Sequence, residues 1–350
     1  MLTLKVIVVL STLTAAPADS KLPPDVRATV TDFYDRMFEV LKAEYIFRDS
    51  VAWPRIHQAV MEKALKEENF DDAVSHSADV FDAIKCDHCL LFTESFRLSG
   101  TLSKPISADD FSTNFLKRYE QRPKFDVRLV DGNVGYILIP GMLLIDLTRE
   151  QLDAETQRLY DQIAGLMRRS KPVGWIVDLR FNVGGNVYPM LAALHPLLGD
   201  GVCYRTLDRN QKPMDDHSLK GGVFYSGDRS ETGAVLSVKP DRAVPVAVII
   251  GGMTGSAGED IAVAFKTRPA TRFIGETTYG FLTANELTDL PGNSQMAYTT
   301  SYVADAKNVY RPVIEPDVRV TKKDNFKAFL QDGNIIEALR FIRSQRKDSH

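Results

Sequence analysis

The stretch from residue 244 to residue 265 reads VPVAVIIGGMTGSAGEDIAVAF and joins three patterns in a row. Its first seven residues are almost entirely apolar, which is typical of a strand buried on both faces. A glycine-rich turn, Gly251–Gly255, comes next, and the residues from Ala257 to Phe265 have the composition of a buried helix. The sequence therefore predicts that the chain passes from strand to helix at Ser256.

Strands and helices also alternate before this stretch. The residues 127–130 and 134–139 flank Asp131 and Gly132, a dipeptide that favours a tight hairpin turn. Thr148 and Gln151 form a possible capping box ahead of a long amphipathic helix. An apolar strand, 174–179, and a helical run, 187–198, then follow. This alternation predicts an α/β catalytic domain with helices packed on its sheets, over residues 126–335.

The remaining parts of the chain have other patterns. Apolar residues recur at helical spacing between residues 23 and 84, which predicts a small helical domain over residues 19–98. A polar connection, 99–125, joins it to the α/β domain, and residues 336–350 are expected to form a C-terminal tail. The polar, glycine-rich stretch 207–232 is expected to be a surface loop.

The N-terminus has the pattern of an export signal. Lys5 precedes the apolar run 6–10, and Ala16-Pro17-Ala18 provides small residues in an A-x-A arrangement. We expect residues 1–18 to be removed as a signal peptide, with a periplasmic or secreted mature protein. The alternative, an uncleaved membrane anchor, is disfavoured because the apolar run is shorter than the roughly 20 residues that a spanning helix needs.

Charge and cysteine content limit the partners that can be expected. The chain of 350 residues has a formal charge of −3, so it lacks the basic excess that binds nucleic acid. Cys86 and Cys89 are close enough to form a disulfide in an oxidising compartment, and Cys203 is a third cysteine. A single C-x-x-C pair does not complete a zinc site. We expect no metal and no cofactor.

Ser256 occupies a position that suits a nucleophile. It begins a helix after a glycine-rich turn, so its hydroxyl lies at the positive end of the helix dipole. The Ala257 amide would point toward a developing oxyanion. The alternative is that Ser256 only caps the helix, with Glu259 completing a capping box.

A second strand-to-helix turn contains the sequence DLRFNVGGN, residues 178–186. Its paired glycines, Gly184 and Gly185, can present backbone N–H groups to a carbonyl oxygen. They could equally be simple turn residues.

Together these two segments resemble the C-terminal processing (tail-specific) peptidases and the tricorn core proteases, whose hallmarks are D-L-R-x-N-x-G-G and T-x-S-A-x-E. Residues 275–280, GETTYG, and 315–317, EPD, resemble two further motifs of this family in the same order. The resemblance covers residues 127–320. It implies a crotonase-like ββα core, Ser256 as nucleophile, and an oxyanion hole formed by Gly184 or Gly185 with Ala257.

The sequence departs from the best-known branch of that family in two ways. Residues 99–126 are too few for the PDZ domain of that branch, and no lysine follows Gly280 to act as base. The tricorn-like branch uses a histidine from the preceding domain, and Asp87-His88-Cys89 resembles its segment. His88 is therefore the expected base, although His57, His76, His195 and His217 compete for that role. Glu315 resembles the acidic residue of that branch, and Glu259 is the other candidate carboxylate.

The expected function is hydrolysis of peptide bonds in a peptide or unfolded-protein substrate by acyl transfer. Ser256 would attack the carbonyl, His88 would carry the proton, and the two amides would hold the oxyanion. We expect no nucleic-acid partner and no membrane span after signal cleavage. Two alternatives remain open, namely a non-catalytic module that binds an apolar ligand on the same fold, and an esterase.

Overall fold

A computed structural model describes residues 21–101, 106–144 and 147–347, and the predicted signal peptide lies outside these residues. The helices span Pro24–Glu44 (α1), Trp53–Ala64 (α2), Phe70–Ser75 (α3), Ser77–Ile84 (α4), Thr113–Glu120 (α5), Arg149–Ser170 (α6), Val187–Ala193 (α7), His195–Leu198 (α8), Ala257–Lys266 (α9) and Gly333–Lys347 (α10). Throughout the described ranges, no helix combines the length and apolar character needed to cross a membrane.

The strands are short, and most lie in the second half of the chain. They span Leu90–Phe92 (β1), Arg97–Ser99 (β2), Asp126–Val130 (β3), Val134–Leu138 (β4), Trp175–Asp178 (β5), Gly201–Leu207 (β6), Pro213–Lys220 (β7), Val223–Ser226 (β8), Arg229–Gly233 (β9), Val246–Ile250 (β10), Thr271–Gly275 (β11), Thr283–Leu290 (β12), Ser294–Ala304 (β13) and Val318–Arg319 (β14).

The chain divides into two compact units, and the first contains the described residues within 1–103 together with 287–298. Its core is helical, as the apolar spacing predicts, because α1 buries Phe33, Met37 and Leu41 along one face. The unit also contains strands, which the sequence analysis did not anticipate. β1 pairs antiparallel with β2 and with residues 295–297 of β13.

The second unit, residues 104–286 and 299–350, is built on a six-stranded sheet. Its strand order is β14-β11-β10-β5-β4-β3, and neighbouring strands are parallel except for the β3–β4 pair. That antiparallel pair is the hairpin predicted at Asp131-Gly132, with both turn residues at positive φ. The capping box of Thr148 and Gln151 at the start of α6 is likewise confirmed. The predicted α/β class is therefore confirmed.

Helices cover both faces of this sheet. Residues of α6, α7 and α9 pack with Val177, Val246 and Val248 on one face. Residues of α5 and α10 pack with Ile176 and Ile249 on the other. The expected C-terminal tail from residue 336 is replaced by α10 up to residue 347. This helix is held because its apolar residues are buried against the sheet: Ile335, Ala338, Leu339 and Ile342.

The expected surface loop at residues 207–232 is also replaced by regular structure. β7, β8 and β9 form an antiparallel ribbon that continues from β6. The ribbon buries His217, Leu219 and Phe224, and the Phe224 ring stacks on Tyr188 of α7. Polar residues dominate this stretch because much of β7 is exposed, which concealed the alternation of its buried positions.

Parallel pairing brings three loops to one edge of the six-stranded sheet. Asp178 at the end of β5 pairs with Ile249, and Gly275 at the end of β11 pairs with Ile250. The segments after β5, β10 and β11 therefore leave the sheet side by side. They contain the DLRFNVGGN turn, the Ser256 turn and the GETTYG segment.

Candidate active site

Ser256 lies in a strained backbone conformation between β10 and α9. Its φ is 52° and its ψ is −122°, a region that residues with a side chain rarely occupy. A sharp, strained turn from strand to helix exposes the nucleophile of other hydrolases in the same way. Ser256 is also the N-cap of α9, and its N–H donates to Glu259 Oε2 at 3.2 Å as the alternative capping role expects, but its backbone lacks the extended conformation that is usual at an N-cap.

Hydrogen bonds on both sides hold the turn in this conformation. Thr254 is fully buried, and its hydroxyl donates to the Leu179 carbonyl at 2.9 Å and accepts from the Gly251 N–H at 2.9 Å. The Gly255 N–H donates to the Asn182 carbonyl at 2.9 Å. The Tyr279 N–H donates to the Thr254 carbonyl at 2.8 Å. The Ser256 turn is thus fastened to both neighbouring loops.

The first of the paired glycines lies directly against Ser256, and the second lies against the backbone of Met142. Gly184 has a φ of 119°, and a Cβ atom built on it would lie 2.9 Å from Cβ and 3.3 Å from Oγ of Ser256. Gly185 has a φ of 114°, and its Cβ would lie 2.2 Å from the Met142 carbonyl oxygen. Both positions require glycine, the first to make room for the serine and the second to pass the backbone of Met142.

The amides of this region have different partners. The Gly184 N–H donates to Oδ1 of the buried Asn182 at 3.1 Å. Within the described ranges, the N–H groups of Gly185 and Ala257 have no hydrogen-bond partner. Ala257 begins α9, so its amide also carries the partial positive charge of the helix terminus. Gly185 and Ala257 are consequently the amides that remain available to an oxyanion, whereas Gly184 is committed to Asn182.

Glu259 is a fully buried carboxylate that ties α9 to the GETTYG segment. Its Oε1 accepts from the Thr278 hydroxyl at 2.5 Å and the Gly280 N–H at 3.0 Å. Its Oε2 accepts from the Phe281 N–H at 2.7 Å and the Ser256 N–H at 3.2 Å. Burial raises the pKa of Glu259 to about 7, and these hydrogen bonds oppose the increase. With four donors already bound, Glu259 acts as a structural anchor of the Ser256 backbone.

The first part of the DLRFNVGGN turn is structural. The buried Arg180 guanidinium forms ion pairs with Asp178 at 2.6 Å, Asp324 at 2.8 Å and Asp332 at 2.9 Å. The Tyr136 hydroxyl also donates to Asp178 at 2.9 Å. Asp324 and Asp332 were not identified from the sequence, because they lie more than 140 residues after Arg180 and no local pattern marks them.

Glu315 lies in the irregular segment before β14, contacts Thr277 of the GETTYG segment and faces solvent. Its Oε2 accepts from the Thr277 hydroxyl at 2.7 Å and forms an ion pair with Arg319 at 2.6 Å. The Glu315 side chain is 58% exposed. The carboxylate is therefore bound to a hydroxyl and a guanidinium, and the described residues of the second unit place no histidine against it.

His88 belongs to the first unit, next to the Cys86–Cys89 disulfide that the sequence allowed. It is 7% exposed, and burial lowers its pKa to about 4, so the imidazole is neutral at physiological pH. The competing histidines have other environments. His57 and His76 bind carboxylates of the first unit, His195 binds Asp200 at 2.8 Å, and His217 stacks on Tyr204.

Residues 281–285, which follow Gly280, contain no lysine. Lys266 is the lysine of α9, and its Nζ lies over the Phe273 ring at 3.9 Å from the centroid. It is ten residues from Ser256 along the helix, or about 15 Å. The described residues also contain no group of three or more His, Cys, Asp or Glu side chains that could hold a metal ion.

Comparison with known families agrees with this geometry. The model of Peptidase family S41 matches residues 133–320, which is more than half of the chain. The chain belongs to Peptidase family S41, and the resemblance to C-terminal processing peptidases is confirmed. Membership supports peptide-bond hydrolysis as the class of activity.

Two curated proteins are similar in sequence. The nisin-resistance protein of Lactococcus lactis subsp. lactis is 26% identical over 306 residues, which cover 86% of this chain and 83% of that protein. The carboxy-terminal-processing protease of Bartonella bacilliformis is 24% identical over 193 residues, or 55% of this chain. The matched region is 39% of that longer protease.

Solved structures share the fold. A lipoprotein from Streptococcus agalactiae has a TM-score of 0.66 at 16% identity and covers 92% of this chain and 98% of its own. The photosystem II D1 C-terminal processing protease has a TM-score of 0.54 at 13% identity, and the match covers 86% of this chain and 94% of that protease. The tricorn protease has a TM-score of 0.51 at 14% identity, and the match covers 91% of this chain and 37% of the tricorn chain.

Proposed function

We propose that the protein is an exported serine peptidase in which Ser256 is the nucleophile. The observation that carries this proposal is the strained φ of Ser256 at a strand-to-helix turn, together with the amides of Gly185 and Ala257, which have no hydrogen-bond partner among the described residues. A helix cap needs neither feature. An acyl-transfer enzyme needs both, because the nucleophile must be exposed and the developing oxyanion must find donors.

In this mechanism, Ser256 Oγ attacks the scissile carbonyl and transfers its proton to a base. His88 is the proposed base, since a neutral imidazole accepts a proton and later donates it to the leaving amine. The N–H groups of Gly185 and Ala257 stabilise the tetrahedral oxyanion. Water then hydrolyses the acyl-enzyme by the reverse proton path, which returns Ser256 to its initial state.

Three other groups support the nucleophile in this proposal. Asn182 binds the Gly184 amide through its side chain and the Gly255 amide through its carbonyl, so it couples the two turns. Glu259 holds the Ser256 backbone through the Ser256 N–H. An acidic residue orients the base in the tricorn-like branch that the sequence resembles, and we propose that Glu315 has this role here. Glu315 would then give up its ion pair with Arg319 in exchange for a contact with the base.

Export is the second part of the proposal. It rests on the A-x-A pattern at Ala16–Ala18 and on the Cys86–Cys89 disulfide, a bond that persists in oxidising compartments. We propose a periplasmic or secreted enzyme that acts on peptides or unfolded proteins. Sequencing the N-terminus of the mature protein tests this part, since a start at Asp19 supports export and an intact Met1 contradicts it.

Labelling with a serine-directed fluorophosphonate tests the nucleophile. The wild-type protein should be modified on the peptide that contains Ser256, and Ser256→Ala should not be labelled. Labelling of another residue, or none in a protein that still hydrolyses peptides, would contradict the proposal. Absence of both labelling and turnover in the folded wild-type protein would instead indicate a binding module, and turnover of esters alone would indicate an esterase.

A further inference from the structure

Asp260 is a buried carboxylate that lies one turn of α9 beyond Ser256. The residue is 9% exposed, and its Oδ1 is fully buried. Within the described ranges, no group donates a hydrogen bond to Oδ1 of this carboxylate. The adjacent Glu259 accepts four such bonds. The two neighbouring carboxylates therefore differ completely in how their charge is satisfied.

Two aromatic side chains lie in the region of Asp260, and one of them, His217, also lacks hydrogen-bond partners among the described residues. Tyr204 of β6 is close enough that the Asp260 charge helps to raise the pKa of its phenol. His217 of β7 stacks on Tyr204 with ring centroids 4.3 Å apart and an interplanar angle of 12°. Both nitrogens of the buried His217 ring lack a partner in the part of the chain that the structure describes. Asp260 and His217 thus leave three buried polar atoms unsatisfied in one region.

Such a group of atoms requires an explanation. Buried polar atoms in folded proteins are paired in the large majority of cases, and an unpaired buried carboxylate is especially unfavourable. Asp260 offers acceptor oxygens, and a neutral imidazole offers one acceptor nitrogen. A group with several N–H donors and a positive charge satisfies these acceptors best, and lysine and arginine side chains are such groups.

The position relative to Ser256 fits a substrate side chain. The Asp260 N–H donates to the Ser256 carbonyl at 3.0 Å, so the two residues follow one another along one face of α9, about 6 Å apart along its axis. The long aliphatic stem of a basic residue can span one helical turn while its head reaches the carboxylate. The apolar groups in this part of the unit are the rings of Tyr188, Phe224 and Tyr204, with Phe224 in contact with the other two.

We propose that Asp260, together with Tyr204 and His217, forms the subsite that receives a lysine or arginine side chain next to the scissile bond. This inference rests on the proposed serine peptidase function and adds its substrate class. Burial raises the pKa of Asp260 well above its usual range, so an empty subsite disfavours the charged carboxylate. An ammonium group that enters favours the carboxylate instead, and any proton that the carboxyl then loses passes to the solvent.

Binding can be tested without hydrolysis. Titration calorimetry with n-pentylammonium chloride should show binding to the wild-type protein. Release of up to one proton should appear as a binding heat that changes with the ionisation enthalpy of the buffer. The neutral n-pentanol should not bind. Asp260→Asn should abolish the ammonium signal, whereas Asp161→Asn, at an exposed position on α6, should keep it. Equal binding by the Asp260→Asn and wild-type proteins would overturn the proposal.

Peptide kinetics test specificity. Two peptides are compared that have either lysine or norleucine at the residue that provides the scissile carbonyl and are otherwise identical. The lysine peptide should have the higher kcat/KM, by about tenfold to a hundredfold, which is the range expected for a hydrogen bond to a charged group. Asp260→Asn should lower this ratio to near one. Cleavage dependent on Ser256 with equal rates for both peptides would refute the subsite and leave the peptidase intact. Ammonium binding without any cleavage would refute the peptidase and retain the site.

Discussion

Replacing Glu259 by glutamine should separate the anchoring of Ser256 from the chemistry of its hydroxyl. A glutamine retains one acceptor oxygen, which can serve the N–H groups of Phe281 and Ser256. Its NH₂ group then faces the Thr278 hydroxyl and the Gly280 N–H. The hydroxyl can accept instead of donate, but the Gly280 N–H is left buried without an acceptor.

The expected cost follows from these bonds. One unsatisfied buried donor costs about 1–3 kcal/mol, and two bonds lose the strength that a charged acceptor gives them. Removing a buried charge offsets part of this loss. We expect a net destabilisation of about 3 kcal/mol, or a decrease in Tm of roughly 6–12 °C for a domain of this size. The measurement is thermal unfolding at pH 8, above the pKa of about 7, where Glu259 is ionised.

The matched control is Asp260→Asn, which removes the adjacent carboxylate. Oδ1 of Asp260 accepts no hydrogen bond from the described residues, so this change should alter the free energy of unfolding by less than about 1 kcal/mol. In Glu259→Gln, kcat should also decrease at least tenfold because the Ser256 backbone loses its anchor. Equal Tm values for the two variants, or a Glu259→Gln protein as stable as the wild type, would refute the anchoring role.

Three further predictions concern the site. Gly184→Ala should abolish peptide hydrolysis because its Cβ would lie 2.9 Å from Cβ of Ser256. The control Gly132→Ala is also at positive φ, but its Cβ would have nothing within 4 Å, so it should only reduce Tm. Equal peptidase activities of the two variants would show that the contact with Ser256 is unimportant. The acidic limb of the profile of kcat/KM against pH should lie near pH 4, since burial lowers the pKa of His88 and only the neutral ring accepts a proton. His88→Ala should remove most of the rate, and an unchanged pH profile in that variant would exclude His88 as the base. Cys86→Ser and reducing agent should decrease activity alike if the disulfide positions His88, and a reductant effect that persists in Cys86→Ser would contradict this.

Local patterns in the sequence predict much of the fold and of the site. The Asp131-Gly132 hairpin, the Thr148 capping box and the strand-to-helix passage at Ser256 depend on residues close together in the chain. The other partners of Glu259, at residues 278–281, and the partners Asp324 and Asp332 of Arg180 could not be predicted in this way, because tertiary packing brings them from distant segments. Asp260 was overlooked for a related reason, since a lack of partners is visible only in three dimensions.

Trapping the acyl-enzyme tests the role of Ser256 most directly. The protein is mixed with p-nitrophenyl acetate, quenched in acid, digested and mapped by mass spectrometry, with Ser256→Ala treated in parallel. We predict an acetyl group on Ser256 in the wild-type protein, and neither acylation at this position nor p-nitrophenol release above background in the variant. Acylation of a different residue, or release by Ser256→Ala at the wild-type rate, would contradict Ser256 as the nucleophile.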